Sequence, residues 1–273
     1  MHAQNIRLVL SDVDGTLVTP DKKLTEATIA AARRLREAGV VLAITSSRPP
    51  RGLRMLVEPL ALAAPIAGCN GGIIVNSDFS MIESHTLDLT TAEEAVDLLL
   101  GAGLDVWVYA DDMWMLRDQA AAHVAREAGI LQFSPTIVSA FTASRLGNAA
   151  KIVGVSDDFT AVAACETAAK AAFGERVSAT RSQSYFLDVT HPQANKGEVV
   201  AALSRRLGIS PDEIATIGDM PNDVLMFHKS GLSIAMGNAS NDVKAQATAS
   251  TDTNENDGFA KAIENLVMQA MSR

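Results

Sequence analysis

Two apolar runs lying far apart in this chain end the same way, in glycine and two closely spaced carboxylates. One is Leu8-Val9-Leu10-Ser11-Asp12-Val13-Asp14-Gly15-Thr16-Leu17; the other is Ile214 to Ile217, followed by Gly218-Asp219-Met220-Pro221-Asn222-Asp223. Two acids in alternate positions at a strand's edge repel each other, so a cation or a shared proton must offset them. One such ending reads equally well as an ordinary acidic turn, because Asp and Gly are common turn residues. Two of them can be neighbours in a parallel sheet, where loops at the carboxyl ends of strands converge on one crevice. Oxygen donors without histidine or cysteine partners suit Mg²⁺, which keeps several waters and takes one or two carboxylates plus substrate phosphate. The pattern therefore predicts a phosphoryl-transfer or metal site.

The first third alternates strand and helix patterns: Ile6 to Ser11, a helix from Thr25 to Ala38, Val40 to Thr45, a helix from about Pro49 to Leu60, and a strand from Pro65 to Gly68. Thr25 is suited to cap the first helix and Gly39 to stop it. A hairpin from Ile73 to Val75 and Met81 to Glu83 follows. The last third resumes the alternation with Lys196 to Leu207, Ile214 to Ile217, Val224 to Lys229, Leu232 to Ala235 and Gly258 to Met271. Such alternation predicts an α/β fold with a doubly wound parallel sheet. Between them, residues 86–187 have another rhythm: helices at Ala92 to Leu100, Gln119 to Ala128 and Thr160 to Ala172, and strands at Asp105 to Ala110, Met113 to Arg117 and Lys151 to Val155. This middle reads as an inserted α+β domain, leaving 1–85 and 188–273 as the core.

The 273 residues, 48% of them hydrophobic, supply an ample core for one large or two modest domains. No apolar stretch approaches the length of a membrane helix and Met1 to Arg7 lacks a secretory leader pattern, so a cytoplasmic location is expected. Cys69 and Cys165, in different domains on this reading, are expected to be reduced thiols. A net charge of −9 argues against nucleic acid and membrane surfaces and leaves a small molecule as the target. His2, His85, His123, His191 and His228 show no metal-ligand spacing, and Trp107, Tyr109 and Trp114 are read as core.

Four ordered segments carry a resemblance. Asp12-Val13-Asp14-Gly15-Thr16, Thr45-Ser46-Ser47-Arg48-Pro49, Asn195-Lys196-Gly197 and Gly218-Asp219-Met220-Pro221-Asn222-Asp223 resemble the four motifs of the haloacid dehalogenase superfamily. Cys69-Asn70-Gly71-Gly72, Ala235-Met236-Gly237-Asn238-Ala239 and Asn254-Glu255-Asn256-Asp257-Gly258 are similar to phrases of its Cof-type sugar-phosphatase branch. The resemblance implies a Rossmann-like core and makes the insertion a C2-type (type IIB) cap that closes over the crevice and selects substrate. It also implies a Mg²⁺-dependent phosphatase acting on a small phosphomonoester, a sugar phosphate or related metabolite, through an aspartyl-phosphate intermediate.

Carried over position by position, the resemblance makes Asp12 the nucleophile, Asp14 the acid/base and Lys196 the ammonium between nucleophile and phosphoryl group. The metal site becomes Asp12, the backbone carbonyl of Asp14 and Asp219, with Asp223 holding metal-bound water or orienting the lysine. The last acid has a second reading, since carboxylates are favourable where a helix begins. Ser46, Ser47, Arg48 and Asn70 are the implied substrate and phosphate contacts. Thr45 rivals Ser46 for the phosphate-binding hydroxyl, and Ser47 stands where related chains carry glycine. Arg48 reaches substrate or pairs with a core acid; Asn70 touches substrate or serves a turn.

Two alternatives remain at this stage. A phosphohexomutase of the same architecture must bind a second phosphate in the cap, where seven basic residues face thirteen acidic ones between Thr86 and Leu187. A non-catalytic sensor of a phosphorylated metabolite would be free to lose Asp12 or Asp14, and both are present.

Overall fold

An uninterrupted apolar strand is stable where both faces of its sheet are covered, and successive residues then feed two different cores. The computed structural model describes residues 5–271. In it β1 (Leu8–Asp12) is buried throughout. Its Leu8 and Leu10 pack with Val199, Val200, Leu203 and Met226 on one face. Val9 and Val13 pack with Leu35, Phe259 and Ile263 on the other. The chain continues through β2 (Val41–Thr45), β3 (Ile66–Gly68), β4 (Ile73–Val75) and β5 (Met81–Ser84).

The inserted strands are β6 (Asp105–Ala110), β7 (Met113–Leu116), β8 (Thr136–Ile137), β9 (Ala149–Val155), β10 (Ser178–Gln183) and β11 (Phe186–Thr190). After them come β12 (Ile214–Gly218), β13 (Leu232–Ala235) and β14 (Ala249–Ser250). The core sheet runs β14-β13-β12-β1-β2-β3-β4-β5. It is parallel from β14 to β3 and finishes as an antiparallel β3-β4-β5 meander. β1 lies between β2 and β12, which brings the two acidic strand ends side by side.

Helix placement follows local rules. The Thr25 hydroxyl accepts from the Thr28 N–H at 3.1 Å and opens the helix Glu26–Glu37. Asn195 does the same for Lys196–Leu207 through the Glu198 N–H at 3.0 Å. The expected helix from Pro49 becomes a short 3₁₀ turn, Pro50–Leu53, leading into the helix Arg54–Leu60.

The inserted sheet runs β10-β11-β9-β6-β7-β8. Helices Leu89–Gly101 and Phe159–Phe173 cover one face through Ala95, Leu99, Val162 and Ala169. The opposite face carries Trp107, Tyr109 and Trp114, buried as expected, against Phe186 and Leu131. Two expectations need correction. The helix expected over Gln119 to Ala128 forms instead over Val124–Leu131, because Asp118 folds back onto the Ala120 N–H and His123 adopts a left-handed φ of 67°, which a right-handed helix does not tolerate. The boundary expected between 187 and 188 falls inside β11, which stays in the inserted sheet to Thr190.

Cys69 and Cys165 are both buried and free. His85 stacks on His191 and His123 on Tyr185, whereas His2 lies outside the described residues. Among the described residues no helix is long and apolar enough to cross a membrane.

Candidate active site

The carboxyl ends of β1 and β12 deliver Asp12 and Asp219, and the turn Pro221–Asp223 delivers Asp223. One oxygen from each of the three acids lies within 4.8 Å of the others. The helix Lys196–Leu207 sends its first side chain inward, so the Lys196 ammonium donates to Asp12 Oδ1 at 2.6 Å and to Asp223 Oδ1 at 2.5 Å. Asp223 Oδ2 accepts from the Asp219 and Met220 N–H groups, both at 2.9 Å. It therefore fixes the loop as well as the lysine. Asp219 is held at Oδ2 by Asn238 Nδ2 at 3.0 Å and approached at Oδ1 by the Thr16 hydroxyl at 3.5 Å.

Burial makes this cluster electrostatically costly. It pushes the Asp12 carboxyl up to about 7, with Asp223 and Asp14 adding repulsion against the pull of Lys196. Asp219 is likewise pushed up to about 8, by burial and then by Asp12 and Asp223. Lys196 shifts the other way from its burial, its ammonium strengthened by Asp12 and Asp223. Fully ionised, the three carboxylates and one ammonium would carry two uncompensated negative charges, and Asp12 Oδ2 is buried without a hydrogen-bond partner. An all-oxygen donor set with that surplus charge fits a hard divalent cation.

Asp14 lines the same cavity, but its carboxylate is engaged elsewhere. Arg48 grips it with two hydrogen bonds, Nε to Oδ2 at 2.7 Å and Nη2 to Oδ1 at 2.6 Å, and Lys22 adds a contact at 2.8 Å. Burial would raise its pKa; Arg48 and then Lys22 overcome that and hold it at about 2. Of the two readings of Arg48, the geometry displays the pairing with a core acid. Ser47 and Asn70 line the cavity. Ser46 is buried, and its hydroxyl oxygen accepts from the Arg48 N–H at 3.1 Å. Asn70 sits at a left-handed φ of 57° and accepts from Asn222 Nδ2 at 3.1 Å, linking the two loops that flank the site.

Gly15 shows why the first acidic turn needs glycine. Its φ is +86°, and a Cβ there would lie 2.3 Å from Asp219 Oδ2. Gly15→Ala is expected to cost about 1–3 kcal/mol of stability through backbone strain. It should also displace Asp219, so that thermal melts show both a lower midpoint and a weaker response to added divalent cation.

The cavity, of roughly 290 Å³, has a wall that the sequence did not announce. Strand β10 contributes Ser178, Thr180, Arg181, Ser182 and Gln183, facing Met220 and Leu225 from the core. Ser-Ala-Thr-Arg-Ser-Gln has neither an apolar run nor clean alternation, and its register with β11 slips between Arg181 and Gln183. Asn238 was also missed as a site residue, although it belongs to the Gly237-Asn238 phrase singled out in the sequence.

Comparison with known proteins matches this arrangement to one family. Residues 9–263 match the model of the haloacid dehalogenase-like hydrolases. The HMP-PP phosphatase of Cronobacter sakazakii is 30% identical over 85% of this chain and 85% of its own length. The pyridoxal phosphate phosphatase of Escherichia coli is 27% identical, over 94% of this chain and 97% of its own. A haloacid dehalogenase-like hydrolase from Bacteroides thetaiotaomicron superposes with a TM-score of 0.87 at 26% identity, over 96% of this chain and 99% of that one. The chain belongs to the haloacid dehalogenase-like hydrolases, in their Cof-type phosphatase branch.

Proposed function

We propose that this chain is a Mg²⁺-dependent phosphatase that hydrolyses a small phosphomonoester, a sugar phosphate or related phosphorylated metabolite, through an aspartyl-phosphate on Asp12. The observation that carries the reading is the buried array of Asp12, Lys196 and Asp223 beside Asp219, set on a cavity shared with Asp14. In the first half-reaction the Asp12 carboxylate forms a bond to phosphorus, the bond from phosphorus to the leaving oxygen breaks, and Asp14 gives that oxygen a proton. In the second, water attacks phosphorus, Asp14 takes its proton, and the bond to Asp12 breaks to release inorganic phosphate. Asp12, Asp219, Asp223 and the Asp14 carbonyl would hold Mg²⁺, whose charge when bound offsets that of the phosphoryl oxygens.

Lys196 orients Asp12 and screens the approach of one anion to another. Arg48 and Lys22 keep Asp14 ionised, the form that accepts a proton from water; donating to the leaving group requires that substrate displace part of this grip. Ser47 and Asn70 form the phosphate side of the cavity, with Ser46 buried in the same turn.

The cavity wall supports an uncharged polar leaving group. Ser178, Thr180, Ser182 and Gln183 offer hydroxyls and an amide, while the inserted unit's cation there among the described lining residues, Arg181, is committed to Glu166 at 2.7 Å. That favours hydrolysis over a mutase, which needs to hold a second phosphate. The relatives are named for different substrates, HMP-PP and pyridoxal phosphate, as expected where the wall rather than the catalytic acids reads the substrate. Two unpaired buried thiols fit a reducing, cytoplasmic setting.

The test is phosphate release across a panel of phosphorylated metabolites, with Mg²⁺ and with chelator. Release from a subset of the panel is expected, falling by ~100-fold or more on chelation. No release from any member with Mg²⁺ present would leave the sensor reading in its place.

A further inference from the structure

One buried ion pair lies outside the catalytic array and is not used by the reaction as described. Lys151 on β9 is 5% exposed and Asp188 on β11 is 1% exposed. Burying such a pair contributes little net stability, because the desolvation of both ions offsets their attraction. The pairing here is also loose. Lys151 Nζ lies 3.7 Å from Asp188 Oδ2, beyond the length of a good hydrogen bond. The ammonium makes its short contact elsewhere, donating at 2.9 Å to the Ser47 carbonyl in the core.

That carbonyl belongs to the turn that follows β2. The Ser46 carbonyl accepts from the Asn70 N–H and the Arg48 carbonyl from the Cys69 N–H, both at 2.8 Å. Lys151 satisfies the carbonyl between them. The face of the Tyr109 ring, 4.8 Å away, backs the ammonium. Asp188 pairs in register with Thr180, so the same pair also stands behind the cavity wall formed by β10.

We propose that Lys151 and Asp188 are positioning residues for the phosphate-binding turn: Lys151, reaching from the inserted sheet, holds the Ser47 carbonyl and with it the Ser46-Ser47-Arg48 geometry, and Asp188 keeps the ammonium aimed. The inference rests on reading that turn as the phosphate site. It explains how the inserted unit acts on the phosphate end of the substrate as well as on the leaving group. It also accounts for a lysine whose partner of choice is a backbone oxygen in a turn of the core.

Lys151→Met alone leaves the buried Asp188 carboxyl without its cation and is expected to lower the melting temperature. The double variant Lys151→Met/Asp188→Asn removes both charges and is the one to assay. With Mg²⁺ present, calorimetric binding of inorganic phosphate needs no turnover, and KM and kcat on an activated aryl phosphate are measured alongside it. Loss of a charge-assisted hydrogen bond predicts phosphate Kd and KM raised by ~10-fold or more, with Mg²⁺ affinity within about twofold of wild type. Lys151→Arg restores a donor and should recover most of the phosphate affinity, which a purely packing role would not produce. Asp188→Asn, which keeps the lysine, should fold and show a smaller loss.

A folded double variant that binds phosphate as tightly as wild type would overturn the proposal, as would a fall in kcat with phosphate affinity unchanged. Wild-type protein that binds no phosphate at all would instead overturn the reading of the turn itself. The two failures are thus separate observations.

Discussion

Asp12→Asn is expected to remove turnover, by roughly 10⁴-fold or more, while leaving the fold in place. The amide is nearly isosteric with the carboxylate but is not a nucleophile toward phosphorus. The surroundings also tolerate the loss of charge. Lys196 keeps its second partner, Asp223 at 2.5 Å, so no ammonium is left buried alone. Phosphate release and a thermal melt, run on the same preparation, check both halves. Activity within about tenfold of wild type would exclude a covalent intermediate on this residue, and a collapsed melting temperature would show that position 12 is needed for the fold itself.

The second large effect is on stability, and its sign follows from the acids. The carboxyls of Asp12 and Asp219 are pushed up to about 7 and about 8 in the folded chain, chiefly by burial. In the unfolded chain such groups titrate near 3.9. Between those values the folded protein binds protons that the unfolded chain does not, so stability falls as pH rises. Their stabilising contribution is complete below about pH 4 and lost by the time pH passes through about 8.

In chelator, the melting temperature should therefore drop by on the order of 5 °C or more between about pH 6 and about pH 9. Mg²⁺ in excess takes the place of the protons and should flatten that decline, since a ligand that binds only the folded state stabilises it by mass action. Asp219→Ala should remove much of both the pH slope and the cation response, because it deletes one of the two raised carboxyls and one of the proposed cation ligands. A metal-free melting curve indifferent to pH, or one that Mg²⁺ does not move, would contradict the assignment of these acids as a cation site.

Residues close together in sequence disclosed the parts of this protein that depend on local rules. The apolar runs before Asp12 and Asp219 specify strands because every residue in them is buried on one face or the other. Asn195 starts the helix Lys196–Leu207 because its side chain satisfies a backbone N–H three residues on. Parallel neighbours then bring the two acidic ends together, so the cluster could be foreseen from strand ends and glycine turns. The α/β alternation and the inserted unit follow the same periodicities.

Other features were decided by contacts between distant segments. Strand β10 exists because β11 pairs with it, and its residues are polar because one side faces the cavity, so no hydrophobic period marks it. Whether Arg48 meets substrate or Asp14 depends on how the β1 and β2 loops approach, and the two-pronged grip on Asp14 appears only when they are folded together. Lys151 is an ordinary cation in an apolar strand until packing sets it beside the Ser47 carbonyl. Local sequence selects strands, caps and turns through interactions over a few residues; the ionisation of Asp14, the cavity wall and the reach of Lys151 arise from burial and electrostatic fields that many segments create together.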